Sequence, residues 1–491
     1  MRRPAVPSRA AIPGAVLLAL VIVFVIASAT QPGAARVAAP GGQRVAVTSI
    51  TRSCPPAAPG APSPRISMIA LPASSSGTAG SGTAPTGRAT FSGILAAPAS
   101  GRKTVKPVTV TAPGTVATVA APGGGGAAVA ATGQMAEGFA AEQTDASGAG
   151  VVSCTYPGSD MWFVGTGQAD GASQVWLYLM NTGNIAASAD VTILTDTGQQ
   201  NALANAITVN PNQFVPENIT PYVRGSQAIA LHVQAGTGQV AAAVWEGGPG
   251  GGAWLPQASA PATSLVIPGL TVASSAAKLF VVVPGAADAK VNVVAYTPAG
   301  ASPQFPGAPV DATAGAATLL ALNSLGASAA GLKLTSSVPI VAGVLVPGAG
   351  IGSFTTAVRP LTEQGVVAAS PAGKGVTVGL LLTAPSAAAR ASISVISANS
   401  TVTTPAGGQN VTVSAGHTLA VPVPGPSAAG RQPFAIVVTP KPGSGPLYAV
   451  RVVTSGSGGL SAPLSSLLPL SSAMTSVTLP PAENSYRAVL P

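Results

Sequence analysis

The chain has 491 residues, 47% hydrophobic but only 7% charged and 4% aromatic, with 59 glycines and 47 prolines. Charge this sparse and helix breakers this dense exclude a coiled coil or a helical solenoid and favour short strands joined by turns. The net charge of +9 comes without clustered Lys/Arg or interleaved aromatics, which argues against a nucleic-acid partner.

At the N-terminus, Arg2, Arg3 and Arg9 precede an apolar run from Ala10 to Ala29. A basic region followed by such a run is an export signal. About 20 residues at ~1.5 Å each also span a ~30 Å hydrocarbon layer. Residues 1–30 are therefore expected to form a signal or transmembrane helix, retained as a single-pass anchor in the cell membrane with an extracytoplasmic body. Cleavage after Ala27-Ser28-Ala29, leaving a secreted protein, is the alternative. Residues 31–43 read as a Pro/Gly/Ala tether. Before residue 137 there are eleven basic residues and no acid. Eight of them, Arg36, Arg44, Arg52, Arg65, Arg88, Arg102, Lys103 and Lys106, follow the apolar run, where they either attract anionic surfaces or simply keep a Gly/Pro-rich stretch soluble.

Beyond the tether one phrase recurs: Val108-Thr109-Val110, Ile207-Thr208-Val209, Val310-Asp311-Ala312 and Val411-Thr412-Val413, at steps of 99, 103 and 101 residues. Each copy leads through a small-residue turn into Ala/Val-rich runs, so the chain reads as an array of one unit. The expected divisions are a degenerate repeat over 44–150, then repeats over 151–262, 263–370 and 371–491. The second is the clearest, with runs at 174–180, 187–195, 207–209, 228–234 and 239–245 separated by turn residues. Five or six short strands per unit predict an all-β chain of tandem antiparallel, immunoglobulin-like β-sandwich repeats. A β-propeller with two blades per repeat is the rival. Segments 254–268 and 354–370 are left as connections long enough to hold a further strand.

Cys54 and Cys154 are the only cysteines. An even count in an exported chain predicts a disulfide between them. Neither has a Cys or His at metal-ligand spacing, so no metal is expected.

The stretch Cys154-Thr155-Tyr156-Pro157-Gly158-Ser159-Asp160-Met161-Trp162-Phe163-Val164-Gly165, with Leu177 to Asn181, Ala140 to Gln143 and Val240 to Val244, resembles an uncharacterised actinobacterial exported family catalogued as a domain of unknown function. The resemblance implies a membrane-anchored or secreted envelope protein and brings no activity, cofactor or catalytic residue.

Chemistry-bearing residues are few. His232 and His417 are the only histidines, and neither has a nucleophile and an acid arranged for a triad. Glycoside hydrolysis needs a carboxyl pair, but Asp160, Asp170, Asp190, Asp196, Glu217 and Glu246 mostly stand beside turn residues. All four tryptophans, Trp162, Trp176, Trp245 and Trp254, fall in the second repeat, either as its core or as flat faces for sugar rings. Trp254, Trp162 and Tyr178 are the candidate ligand-binding residues, with Trp254 expected to be the exposed one. The expected function is a non-enzymatic, extracytoplasmic scaffold or interaction module of the cell envelope, without cofactor, whose partner is an envelope polysaccharide or another envelope protein. The alternative is a carbohydrate- or wall-polymer-binding module centred on the second repeat.

Overall fold

The computed structural model describes residues 43–60, 64–72, 86–96, 107–145, 150–168, 173–200, 205–248, 251–271, 277–302, 309–322, 329–348, 350–426 and 432–479. They form antiparallel strands, and the helical segments among them are single 3₁₀ turns. The predicted N-terminal helix and tether lie outside the described residues. Among the described residues no helix is long and apolar enough to cross a membrane, so the expected single-pass membrane placement is corrected. Gly and Pro recur too often in the described chain for a helix to extend beyond one turn.

Two small strands, β1 (Gln43–Ala46) and one at the C-terminal end described below, pair in a sheet of their own; residues 46–476 make one compact body. In its first part, β2 (Ser49–Cys54), β3 (Arg65–Ile69), β4 (Ala89–Leu95), β5 (Val108–Val110), β6 (Ala117–Ala120), β7 (Gly126–Thr132), β8 (Ala140–Thr144) and β9 (Val151–Ser153) build sheets ordered β2-β7-β4-β5 and β6-β3-β8-β9. The second part holds β10 (Asp160–Gly165), β11 (Gln174–Asn181), β12 (Ala187–Thr195), β13 (Gly198–Gln200), β14 (Ile207–Val209), β15 (Gln213–Asn218), β16 (Ile229–Thr237), β17 (Ala241–Gly248) and β18 (Gly251–Leu255). Its sheets are β10-β16-β12-β13, with β14 also on β12, and β15-β11-β17-β18.

The same plan recurs twice. β19 (Ala262–Leu270), β20 (Lys278–Val282), β21 (Ala289–Thr297), β22 (Gly300–Ser302), β23 (Val310–Ala312), β24 (Ala317–Ala321), β25 (Ala330–Val346) and β26 (Ser353–Thr356) form the third sandwich. There β25 runs through both layers and joins them. The fourth comprises β27 (Gly365–Ser370), β28 (Val376–Ala384), β29 (Ala389–Ile396), β30 (Val402–Thr403), β31 (Val411–Val413), β32 (His417–Pro422), β33 (Phe434–Pro440), β34 (Tyr448–Ser455) and β35 (Leu464–Pro469).

The recurring triplet is one strand in all four copies: Val110, Val209, Ala312 and Val413 pair with Ala89, Ala187, Ala289 and Ala389. The turn after it needs a left-handed residue, supplied by Gly114, Asn212, Gly315 and Gly416; asparagine is the side chain that tolerates this region best. Segments 254–268 and 354–370, expected as connections long enough to hold a further strand, carry the end of the last strand of one sandwich and the first strand of the next. The immunoglobulin detail is not reproduced, because the first two strands of every sandwich lie in opposite sheets. Nor does a closed propeller form, since consecutive strands switch between layers rather than meandering within blades.

Each sandwich lays its first sheet on the second sheet of the next. Phe280, Val282, Val341 and Leu345 of the third extend the core of the second, and Leu381, Val450, Val452 and Leu467 of the fourth extend that of the third. The series then returns to its start: Ala368, Ile396, Ala435 and Val437 of the fourth pack with Ile69, Leu71, Val116 and Ala140 of the first. The four last strands β9, β18, β26 and β35 adjoin one another in a circuit. Their edges are thereby covered rather than left to pair with another chain. At the end, Met474 packs on the core of the first sandwich, Gly138 N donates to Met474 O at 3.0 Å and Val47 N to Thr475 O at 3.0 Å. From there β36 (Ser476–Leu479) pairs with β1.

Cys54 and Cys154 form the predicted disulfide, with Cα atoms 4.3 Å apart and a sequence separation of 100. It sits beside the Ser53–Thr155 bridge, where the chain leaving β9 returns to β2. The other sandwiches make the same return without a disulfide, at Trp162–Ala258, Val266–Val358 and Gly365–Ser472. Reduction is expected to lower stability by up to about 4.7 kcal/mol, the chain-entropy value for such a loop, read as a lower denaturant midpoint with and without reductant.

Candidate functional site

Three places gather the side chains capable of recognition or chemistry: the aromatic face of the second sandwich, a histidine on its other sheet, and a buried charge cluster between the fourth and first sandwiches.

Cross-strand register sets Trp176 of β11 opposite Trp245 of β17, and Trp245 opposite Trp254 of β18. A period of two puts Tyr178 on the same face. Its ring centroid lies 5.8 Å from that of Trp254 and 6.3 Å from that of Phe214. Val152 and Ala58 of the first sandwich join this cluster. Trp254 is 7% exposed and Tyr178 5%, and burial pushes the Tyr178 hydroxyl up to about 12. The expectation of an exposed Trp254 is thus corrected: the aromatics fill a joint between sandwiches. Two glycines serve the same packing, for a Cβ at Gly247 or Gly252 would sit 2.2 or 2.3 Å from Trp245 ring atoms.

Trp162, 5% exposed, belongs to the other sheet and the core of the second sandwich, so it does not join Trp254 and Tyr178. Its indole stacks on His232 at 3.8 Å, and His232 Nε2 meets Asp160 Oδ1 at 2.9 Å. Burial pulls the imidazole below its ordinary range, while the hydrogen bond and charge of Asp160 pull it back. His232 is half-buried, and β10 and β16 place Trp162 directly opposite it. His417, by contrast, only contacts Ala415 O through Nδ1.

The charge cluster carries no sequence signal. In each sandwich an alanine, Ala141, Ala242, Ala342 or Ala449, pairs with a core residue of the second strand. The residue after it faces the joint: Glu142 in the first copy, Ala243, Gly343 and Val450 in the others. Opposite Glu142, a bulge in β27 between Val367 and Ser370 frees two backbone N–H groups from the ladder. Ala368 N donates to Glu142 Oε1 at 2.8 Å and Ala369 N to Oε2 at 3.2 Å. Behind the bulge the fully buried Arg451 donates to Ala369 O and, at 3.3 Å, to Ser466 Oγ. On the near side Arg52 donates to Phe139 O at 2.9 Å and Cys154 O at 3.2 Å, its guanidinium 3.4 Å over the Tyr156 ring. Arg52 is therefore committed inside and leaves the basic field expected at the surface. Burial raises the Glu142 carboxyl; Arg451, the two N–H groups and Arg52 offset this in part.

Other carboxylates stabilise loops. Gly150 N donates to Asp145 Oδ2 at 2.9 Å, Gln227 N to Asp196 Oδ2 at 3.1 Å and Ala314 N to Asp288 Oδ1 at 2.8 Å. Among the described residues no three His, Cys, Asp or Glu groups are placed to hold a metal ion. A shallow hollow of about 450 Å³ is lined by Thr404, Pro405, Ala406, Gly407, Gln409 and Asn410.

The fold and these sites define an all-β protein of tandem sandwich-like units whose distinctive side chains lie at the joints. The chain belongs to the family of unknown function DUF5719, whose model matches residues 108–424. No curated protein matches it. A solved α-L-rhamnosidase of Streptomyces avermitilis in complex with L-rhamnose is 10% identical; the match covers 84% of this chain and 55% of the enzyme, at a TM-score of 0.10. That score carries no argument about this protein.

Two outcomes follow from the geometry. Gly252→Ala should destabilise by roughly 1–3 kcal/mol, the usual cost of overpacking, with a shifted tryptophan emission spectrum. For Glu142 the folded pKa lies above the ordinary 4.5, so its contribution is full below that value and lost as pH rises through the folded pKa. Denaturant titrations taken upward from the ordinary 4.5 should show stability falling with pH in the parent chain, with that component of the slope absent in Glu142→Gln.

Proposed function

We propose that the protein is a non-enzymatic scaffold or interaction module that works outside the cytoplasm, in the cell envelope. The observation that carries this reading is where its distinctive side chains go: Trp245, Trp254 and Tyr178 fill the joint between the first and second sandwiches, and Glu142 reaches from the first to the fourth. Such a design favours a rigid body over a cleft for turnover. The disulfide fits folding in an oxidising compartment. A carbohydrate platform on the second sandwich has less support, because Trp254, Tyr178 and Trp162 are buried.

The partner is then another envelope protein that docks on exposed apolar surface, such as that at Ile185 and Val402. Photoreactive residues at Ile185 and Val402, 63% and 55% exposed, should yield recurrent adducts with the same protein in the organism's own cells. Glycan-array binding by the purified chain that survives Val402→Asp and is lost in Trp254→Ala, together with no protein adduct from either position, would replace the scaffold reading with the carbohydrate one.

A further inference from the structure

The circuit has four joints, and three of them join sandwiches that follow one another in the chain. The fourth, between the last sandwich and the first, is closed by non-covalent contacts and the short Ala473–Thr475 segment. It is also built differently. At the second-to-third and third-to-fourth joints the apolar residues merge with a sandwich core into one cluster. At the closing joint most of them form a small cluster apart from either core, with alanines at 140, 368 and 435, as the aromatic joint between the first and second sandwiches also does, while Val151 alone joins the core of the fourth. Only here does a buried carboxylate take the place that Ala243, Gly343 and Val450 fill elsewhere. A buried charge held by backbone N–H groups contributes less than well-packed apolar residues in the same volume, and alanines bury little apolar area.

We propose that the joint between the fourth and first sandwiches is a seam that opens reversibly, and that once open it lets the fourth sandwich of one copy seat on the first sandwich of another. The partner for this surface is fixed by the chain itself: the two faces already fit each other, so the contact made within one chain is available between two. Because the faces are different, the exchange is head to tail and either closes a small ring or extends as a filament. The disulfide keeps β2 tied to the exit from β9, so the first sandwich opens as an intact unit.

Ser400 Oγ and Thr115 Oγ1 lie 3.1 Å apart across the seam, which makes them reporters. The full chain carrying both Ser400→Cys and Thr115→Cys should form an intrachain disulfide, seen on non-reducing gels. Two single variants of different tag size, mixed at high concentration, held briefly in denaturant below the global midpoint and diluted, should then give a covalent mixed dimer. Its yield should exceed several-fold the dimer from either variant alone, and Glu142→Ala should raise it further by leaving both bulge N–H groups unpaired. Intrachain bonding in the double variant with no mixed dimer above the single-variant background, with or without Glu142→Ala, overturns exchange between copies. A double variant that fails to bond with itself overturns the seam geometry. Neither result bears on whether a second envelope protein docks at Ile185 or Val402, so this inference and the scaffold reading fail separately.

Discussion

Everything in this architecture follows from one constraint: a β-sheet has two faces and two edges, and each must be covered. A hundred-residue sandwich with four or five strands per sheet satisfies the inner faces with its own core. Its outer faces, made of Ala, Val and Leu rather than of charged residues, are too apolar to leave in water. Laying the first sheet of one sandwich on the second sheet of the next covers them, and only a closed circuit leaves no terminal face uncovered. The last strands, whose edges would otherwise invite pairing, meet one another for the same reason. The sparse charge of the chain is therefore a consequence of the packing, since little of the strand surface is left to solvate.

The joints carry equivalent roles with different materials. Between the second, third and fourth sandwiches the small backbone profile of Gly343 against Val164, and of Gly269 against Leu381 and Val450, lets sheets approach closely. Between the first and second, large aromatic rings fill the space, and Gly247 and Gly252 make room for Trp245. Between the fourth and first, polar groups are buried. There Glu142 satisfies two N–H groups that a bulge has removed from the ladder and that would otherwise be buried without a partner. Arg451 approaches the same residue from its carbonyl, so Ala369 donates its N–H to Glu142 and accepts from Arg451 through its C=O.

Much of the fold was legible because it is periodic. The triplets at 108, 207, 310 and 411, the left-handed turn residues after them and the Ala-led strands they pair with repeat at nearly constant spacing, and a β-branched run between turn residues leaves little choice of conformation. The paired cysteines were legible from their count. The last and first strands of neighbouring sandwiches were not. Gly251-Gly252-Ala253-Trp254-Leu255 opens on two glycines, Ser353-Phe354-Thr355-Thr356 is four residues long, and both read as connection. Strand order was hidden too, because alternation tells which side chains share a face and not which sheet a strand enters.

The aromatic cluster shows why the site was harder to read than the fold. From composition, four tryptophans in one unit suit either a core or a binding platform, and the sequence of that unit alone does not decide between them. What decides is a surface belonging to another unit, where Val152 and Ala58 join the rings. Glu142 presents the same problem more sharply: its meaning depends on a bulge at Ala368 and Ala369, 226 and 227 residues on. In a chain built from repeats, local pattern reports what every copy shares, while the residues that distinguish one copy from the next answer to neighbours that only the closed circuit brings together.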